Sequence, residues 1–365
     1  MVDRLARFLD HGWDKGWMPP PPVDPEELIR RGSKGFSQED EFAGRSEADI
    51  VDFRLRLEQL SQAVHAEAQL NAVGRAFAYG LFTRAIQQRF ALGALWKKQP
   101  ELLQTKIAPP IIVVGQMRSG TTRIHRLLAA DPAHSATRFC DSWHPVPEKP
   151  DFRPIRGTFK LFMARRLDPW IDTIHPFGAA RPDEELGWLA SAFDHSAYEA
   201  QWRIPSYVAL SEARDAQPIY REFARLLRTD AGQHGHGARP RILKVPQFAE
   251  DLPALLAQFP DARLVVSRRC SEETFRSSVS LVANQMVIQS DHVDLEWIEQ
   301  EWRRKIALRQ TRMEAALTDF AGPAAVIDFD QLGSDWEGAM HQLYGTLDMT
   351  LSAEALSAMR SEMRQ

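Results

Sequence analysis

The sequence of residues 111–122, IIVVGQMRSGTT, gives the clearest indication of the fold. An apolar strand runs into a loop between Gly115 and Gly120, and a helical pattern follows from Thr121. A turn of this kind directs backbone N–H groups and the positive end of the helix at one point, which makes an anion site. The alternative is an ordinary surface turn in which threonines cap the helix.

The cation of this loop distinguishes it from an ATP-binding loop. The two glycines have the spacing of that motif, but Thr121 stands where a nucleotide triphosphatase has its lysine. Arg118 lies inside the loop instead, and its rigid guanidinium suits two oxygens of one tetrahedral anion. We therefore predict that the loop binds a phosphate-like group without a metal. A kinase is disfavoured because the lysine is missing.

Composition limits the classes of protein that are possible. The chain has 365 residues with 44% hydrophobic and 26% charged residues, as in ordinary soluble proteins, and its net charge of −4 predicts no nucleic-acid partner. The two cysteines, Cys140 and Cys270, are too far apart in sequence to suggest a disulfide framework or a zinc site, which favours a cytoplasmic setting. No apolar run approaches the roughly 20 residues of a membrane span, and we expect no export signal.

Two regions are expected along the chain. Residues 1–105 are predicted to form a loosely structured, proline-containing arm of about forty residues, followed by amphipathic helices that serve core packing. Residues 106–365 alternate short apolar strands with helices, which predicts an α/β fold with a P-loop-type parallel sheet flanked by helices. Ligands of such sheets bind at the carboxyl ends of the strands. The candidate strands are Ile111–Val114, Ile242–Val245, Leu264–Val266 and Ala325–Phe329.

The loop resembles that of the bacterial-type sulfotransferases, which use 3′-phosphoadenosine 5′-phosphosulfate (PAPS). Their loop reads G-x-P-R-[ST]-G-T-T and is followed by a leucine-rich helix with a histidine and an Asp-Pro stop. This sequence departs only at Met117, where proline is usual, and continues through His125 to Asp131-Pro132. The resemblance implies that PAPS is the co-substrate and that its 5′-phosphosulfate is held by Gln116, Arg118, Ser119, Gly120, Thr121 and Thr122.

A second segment resembles the family's site for the 3′-phosphate of PAPS. Residues 259–269 read FPDARLVVSRR, and Ser277 follows Arg269 by eight residues, the spacing of the arginine and serine that hold this phosphate in the family. Cys270-Ser271 replaces the usual Asp-Pro. Without the first loop, Arg268 and Arg269 would be interpreted as a solvated basic pair; the two segments together favour a nucleotide site.

Transfer of a sulfonate to a hydroxyl requires cations around the sulfonate and a base for the hydroxyl proton. The resemblance places Lys244 near the sulfonate, while Phe248 replaces a usual histidine. It also places Asp141 where family members have a glutamate, so Asp141 is a candidate base. The alternatives are Glu184 in a segment similar to the family's P-E-E, and His144 or His125, although a lone histidine is more often structural.

The region from about 143 to 235 is predicted to be a helical cap that binds the acceptor. Its aromatic residues suit a small hydrophobic or aromatic acceptor with a hydroxyl; they are Trp143, Trp170, Phe177, Trp188, Phe193, Tyr198, Trp202 and Tyr207. The expected function is PAPS-dependent sulfonate transfer, with a homo-oligomer possible. A non-catalytic nucleotide- or partner-binding protein is the alternative, supported by Asp141, by Phe248 and by the absence of a Lys/Gly-rich loop after the last cations, Arg360 and Arg364.

Overall fold

The centre of the protein is a five-stranded parallel sheet. The structure is a computed structural model, and it describes residues 1–174 and 176–364. The strand order is β2-β3-β1-β4-β5, and every pair is parallel, which confirms the predicted fold class. The strands are β1 (Ile111–Gly115), β2 (Ser135–Ala136), β3 (Arg241–Lys244), β4 (Arg263–Arg268) and β5 (Ala324–Asp328). The two-residue β2 is the strand that the sequence did not predict.

Helices surround this sheet and precede it. Five helices come before β1: α1 (Val2–Asp14), α2 (Pro25–Gly32), α3 (Gln38–Phe42), α4 (Glu47–Glu67) and α5 (Ala72–Lys98). The helices after β1 are α6 (Thr121–Ala130), α7 (Phe139–Trp143), α8 (Arg153–Leu167), α9 (Ile171–Ile174), α10 (Leu186–Ser191), α11 (Pro205–Glu212), α12 (Gln217–His234), α13 (Phe248–Gln258), α14 (Ser271–Gln289), α15 (Leu295–Asp319), α16 (Phe329–Ser334), α17 (Trp336–Thr346) and α18 (Ala353–Glu362). Within the described ranges, no helix combines the length and apolar character needed to cross a bilayer.

The sheet is covered on both faces, as continuous apolar strands require. Alternate residues of β1 point to opposite faces. Ile112 and Val114 belong to a core shared with α12 and α13, whereas Ile111 and Val113 belong to a core shared with α6 and α17. All five residues of β1 are buried. The carboxyl end of this buried strand therefore has a fixed position, and the loop that follows it starts from a rigid support.

The first forty-odd residues contain three helices, α1 to α3, joined by short non-helical segments, instead of the loosely structured arm that the sequence predicted. Helix α2 has a local signal: Asp24 accepts a hydrogen bond from the Glu27 N–H at 2.8 Å, and Pro25 occupies the first turn of α2. Helices α2 and α3 pack on α5. The packing of α3 is close, because a Cβ on Gly93 of α5 would lie 1.6 Å from the Asp40 carbonyl oxygen. Tertiary contact with α5 thus orders a segment whose prolines suggested irregular structure.

The N-terminal helices share a core with the predicted cap. Phe53 of α4 and Phe82 of α5 both contact Phe193, with ring centroids 4.9 and 5.8 Å apart. Tyr198 and Trp202 stack at 5.3 Å in the same cluster. The residues before and after position 105 are therefore joined by a common apolar core, and α5 is held firmly beside the carboxyl ends of the strands.

Candidate active site

The loop after β1 is held in a conformation that ordinary residues avoid. Gly120 has φ +92°, and a Cβ there would lie 2.6 Å from the Phe329 ring. Arg118 has φ +69°, a left-handed conformation that costs a residue with a side chain about 1 kcal/mol or more. Such strain persists only where surrounding contacts enforce it. Here it directs an arginine out of the loop at the start of α6.

Side chains within the loop supply those contacts. Ser119 Oγ donates to the Gln116 carbonyl at 2.6 Å, and Ser267 Oγ donates to the Ser119 carbonyl at 2.5 Å. Gln116 Nε2 donates to the Ile306 carbonyl of α15 at 3.1 Å. The side chains of Gln116 and Ser119, both predicted to bind the donor, therefore brace the loop instead of lining the adjacent cavity. Gly120, Thr121 and Thr122 do line it.

The two predicted anion anchors meet. Arg269, which follows β4, donates from Nη1 to the Arg118 carbonyl at 2.7 Å. Arg118 Nε donates to Ser277 Oγ at 3.0 Å, so the serine contacts the loop arginine. Burial and then the neighbouring charge of Arg269 lower the pKa of Arg118. Two guanidinium groups at the carboxyl ends of adjacent parallel strands form a strongly cationic end of the cavity.

Arg269 is also positioned by an aromatic ring. Its guanidinium lies 4.1 Å from the centroid of Phe329, the residue that excludes a side chain at Gly120. Glu273 on the next turn of α14 accepts from Arg269 Nε at 3.1 Å. The ring contact and the hydrogen bonds fix the arginine relative to the loop.

Lys244 and Glu184 form the second charged group of the site. Lys244 ends β3, its side chain is buried, and Nζ donates to Glu184 Oε1 at 2.7 Å and to Thr122 Oγ1 at 3.1 Å. Glu184 lines the cavity. The charge of Glu184 also raises the pKa of Arg118, which partly opposes the effect of burial and places this carboxylate near the loop arginine. The structure thus brings Arg118, Thr122, Lys244 and Glu184 to one place.

Asp141 does not join them, and we do not retain it as the candidate base. Its carboxylate is buried and accepts from Arg138 Nε at 2.6 Å. Arg153 Nη1 lies 3.1 Å from the other carboxylate oxygen. Asp141 is not among the cavity-lining residues, whereas Trp143 and His144 are. Two arginines therefore hold this buried carboxylate away from the cavity lining.

The two candidate histidines have different environments. His125 is buried in α6 and does not line the cavity. His144 does line it, with Lys160 Nζ 2.6 Å from Nε2. Burial, followed by the charges of Lys160 and Arg84, lowers the pKa of His144 to about 3. A base with so low a pKa is poorly matched to neutral pH. Glu184 is the better candidate because it lines the cavity and contacts Lys244, which also contacts Thr122.

The cavity has a volume of about 1240 Å³ and one wall that the sequence did not predict. That wall is α5, through Ala76, Phe77, Gly80, Leu81 and Arg84. The helical spacing of the apolar residues in α5 predicts core packing alone. Other apolar lining comes from Phe159, Leu161, Met163 and Leu281. The cavity is therefore bounded by α5 on one side, by α8 on another and by the cationic loops at its end.

Most predicted acceptor-binding aromatics serve other purposes. Trp143 and Phe177 line the cavity, but Trp170 is exposed. The remaining five are buried in the core: Trp188, Phe193, Tyr198, Trp202 and Tyr207. Phe248, which replaces the family's histidine, is also buried and lies 5.6 Å from Phe223 between ring centroids.

The C-terminal helix reaches the cavity without supplying a cation. Glu362 and Met363 line it, and Glu362 accepts from Arg181 Nη2 at 2.6 Å. The cations noted in the sequence are engaged elsewhere, since Arg360 pairs with Glu337 at 2.7 Å and Arg364 donates to Ser361 Oγ at 3.0 Å. The C-terminal helix therefore leaves the cationic contacts to a ligand in this cavity to other elements, among them the loops that carry Arg118 and Arg269.

Among the residues that the structure describes, two groups of side chains have the composition of a metal site. They are Asp141 with Asp230 and His234, and His195 with Glu212 and Glu250. Their carboxylates already face cations. Arg241 lies 2.5 Å from Asp230, and Lys305 lies 2.7 Å from Glu250. Ion pairing accounts for both groups, and neither faces the cavity.

Glu185, next to Glu184, is a buried carboxylate that contacts the backbone at the end of β3. It is fully buried and accepts from the Lys244 N–H at 3.0 Å, while burial raises its pKa to about 7 from the ordinary 4.5. Because the folded-state pKa is the higher one, this group destabilises the fold progressively as pH rises from about 4.5 to about 7. Glu185→Gln is therefore expected to stabilise the protein by about 2 kcal/mol more at pH 8 than at pH 5, measured by chemical denaturation. A gain independent of pH would contradict this explanation.

The fold and site together define a class: an α/β protein whose phosphate-type loop and second arginine form an anion site at the carboxyl ends of parallel strands. The chain belongs to the sulfotransferase family, whose family model matches residues 109–353. The predicted resemblance to bacterial-type sulfotransferases is confirmed. No curated protein matches the chain significantly.

Solved structures agree with this assignment. The sulfotransferase STF1 from Mycobacterium tuberculosis is similar, with 26% sequence identity, a TM-score of 0.82 and 92% of each chain covered. The sulfotransferase STF9 from Mycobacterium avium has the same fold at 20% identity and a TM-score of 0.82, over 93% of this chain and 87% of that one.

Proposed function

We propose that the protein transfers the sulfonate of PAPS to a hydroxyl of a small apolar acceptor. The observation that carries the proposal is the contact between Arg269 and the Arg118 loop at 2.7 Å. It gives one ligand two cationic anchors, as a nucleotide with anionic groups at both its 5′ and 3′ positions requires.

Different residues bind the two anionic ends of the nucleotide. Arg118, Thr121 and Thr122 bind the 5′-phosphosulfate at the start of α6, where backbone N–H groups add to the positive field. Arg269 binds the 3′-phosphate. Ser277, which accepts from Arg118, holds the two anchors in register.

Lys244 and Glu184 act at the transferring group. The acceptor oxygen forms a bond to sulfur as the sulfur–oxygen bond to the 5′-phosphate breaks, and the electron pair leaves with the bisphosphate. Lys244, held by Thr122 and Glu184, stabilises the negative charge that develops on the leaving oxygen. Glu184 accepts the hydroxyl proton. The apolar wall of α5 and α8 receives the rest of the acceptor and excludes water.

Transfer of radiolabelled sulfate from PAPS to a panel of hydrophobic alcohols and phenols tests the proposal. Labelled product with one equivalent of the bisphosphate nucleotide is expected. Tight binding of that nucleotide with no transfer to any acceptor would instead favour the non-catalytic alternative. ATP consumption dependent on Mg²⁺ would favour a kinase.

Arg269→Ala should reduce the preference for a nucleotide that carries a 3′-phosphate. We expect the affinity ratio between adenosine 3′,5′-bisphosphate and adenosine 5′-phosphate to fall by about tenfold or more, because one charge-assisted contact is lost. Isothermal calorimetry measures both affinities. The matched control is Arg268→Ala, which removes the adjacent exposed arginine that does not line the cavity. An unchanged ratio in Arg269→Ala would remove this residue from the nucleotide site.

A further inference from the structure

Helix α8 carries its apolar face toward solvent. Five large apolar side chains of α8 and the residue before it are between 43% and 68% exposed: Phe152, Ile155, Phe159, Phe162 and Met163. At 100° per residue they occupy an arc about 100° wide, so they form one continuous stripe. Scattered exposed apolar residues are ordinary, but a stripe of this kind marks an interaction surface.

The orientation of α8 is fixed by its opposite face. Leu161 is buried, and a Cβ on Gly157 would lie 3.1 Å from the Ala179 Cβ. Arg153 is buried against Asp151 and Asp141. The helix therefore cannot rotate to hide its apolar stripe without disrupting these contacts. The exposed stripe is a stable feature of the folded protein.

Basic residues accompany the stripe. Residues 153–167 contain five arginines and lysines and no aspartate or glutamate. Arg166 lies over the Phe162 ring at 5.0 Å, within the stripe, and Arg156 borders it. The ion pairs of Arg156 with Glu148 and of Arg165 with Asp172 are partly exposed, so phosphates can replace those partners at small cost. Trp170, beyond the helix, is 66% exposed.

The stripe also continues into the cavity. Phe159 and Met163 are exposed and at the same time line the cavity, and Ala164 and Leu167 extend that wall inward. The apolar surface of α8 is thus continuous from the outside of the protein to the interior of the site. Whatever covers the stripe lies at the mouth of the cavity.

We propose that α8 docks on a lipid bilayer with anionic headgroups. Its stripe lies at the boundary between headgroups and acyl chains, while Arg156 and Arg166 contact phosphates. An aromatic and aliphatic stripe bordered by arginine and lysine, with an exposed tryptophan nearby, has the chemistry of an interfacial helix. A second copy of the chain fits less well, because a two-fold contact through α8 would place the basic residues of both copies against each other. This proposal does not depend on the reaction proposed above.

Flotation with vesicles tests the proposal, using phosphatidylcholine alone and phosphatidylcholine mixed with phosphatidylglycerol. The intact protein should float with the mixed vesicles, less so at high salt, and much less with the neutral ones. The double variant Ile155→Ser and Phe162→Ser should weaken partitioning by about tenfold or more, since both side chains belong to the stripe. Neither lines the cavity and both are exposed, so folding and any transfer to a water-soluble acceptor should remain. Arg166→Gln should weaken binding by about fivefold.

The matched control is Val287→Ser with Leu295→Ser, which removes two equally exposed apolar side chains, 58% and 57%, away from α8. It should float like the intact protein. Equal losses in both double variants, or no difference between neutral and mixed vesicles, would overturn the proposal. A third outcome would also overturn the proposal: the intact protein does not bind vesicles, but light scattering shows that it self-associates as its concentration rises. If Ile155→Ser with Phe162→Ser abolished this self-association, the stripe would be covered by a second copy of the chain.

Discussion

Arg118→Ala is expected to lower the rate of sulfonate transfer by about a thousandfold, the scale of losing one preorganised stabiliser of developing charge. Affinity for the bisphosphate product should fall by only about tenfold, because Arg269 and the loop N–H groups still bind it. The difference arises because the guanidinium acts most strongly on charge that appears as the bond to sulfur breaks. Single-turnover rates and calorimetry measure the two quantities.

The substitution should leave folding intact, since the loop is held by Ser119, Ser267 and Gln116 and not by the arginine side chain alone. Arg276→Ala is the control; it removes an exposed arginine of α14 next to Ser277 that pairs only with Glu272 among the described contacts. Its transfer rate should match that of the intact protein. Small and equal losses of rate and affinity in Arg118→Ala would show that Arg118 is not a catalytic residue.

Glu184→Gln is expected to lower the transfer rate by about a hundredfold to ten-thousandfold, because the amide cannot accept the hydroxyl proton. The amide oxygen can still accept a hydrogen bond from Lys244, so nucleotide binding should change little. Single-turnover rates of the intact protein and of the variant provide the comparison.

Asp141→Asn separates the two candidate bases. Asp141 lies between Arg138 and Arg153, and the Arg153 side chain is buried. Removing the carboxylate charge is expected to destabilise the fold by about 3 kcal/mol while leaving the transfer rate of the folded fraction near that of the intact protein. A stable Asp141→Asn variant without transfer, together with an active Glu184→Gln variant, would reverse the assignment.

The predicted site residues that the structure brings together depend on local spacing. Gly115, Arg118 and Gly120 lie in one turn, and the chain around them is short enough that strand, loop and helix follow from neighbouring residues. The parallel sheet follows from alternating strands and helices, and its strand ends then place Arg269 beside Arg118. Neither the loop nor the parallel sheet depends on many contacts between residues that are distant in sequence.

The rest depends on long-range packing that periodicity does not encode. Asp141 pairs with Arg138 at the start of its own helix and with Arg153 of α8, and it does not line the cavity, whereas Glu184 does. The α5 wall was missed for a similar reason. Phe77 and Leu81 have the same helical spacing whether they pack against a core or line a cavity, and only the position of α5 beside α14 distinguishes these outcomes.

The location of the α5 wall bears on how acceptor specificity can differ between members of the family. The family model matches residues 109–353, so Phe77 and Leu81 lie upstream of the matched segment, while the loop of Arg118 and the segment of Arg269 lie within it. Under the proposed function, the α5 part of the acceptor wall therefore lies on a stretch of chain separate from the donor anchors, whereas the α8 part lies on the same stretch as those anchors. Replacing α5 with the corresponding helix of another family member should leave the affinity for the nucleotide unchanged and alter the acceptor specificity.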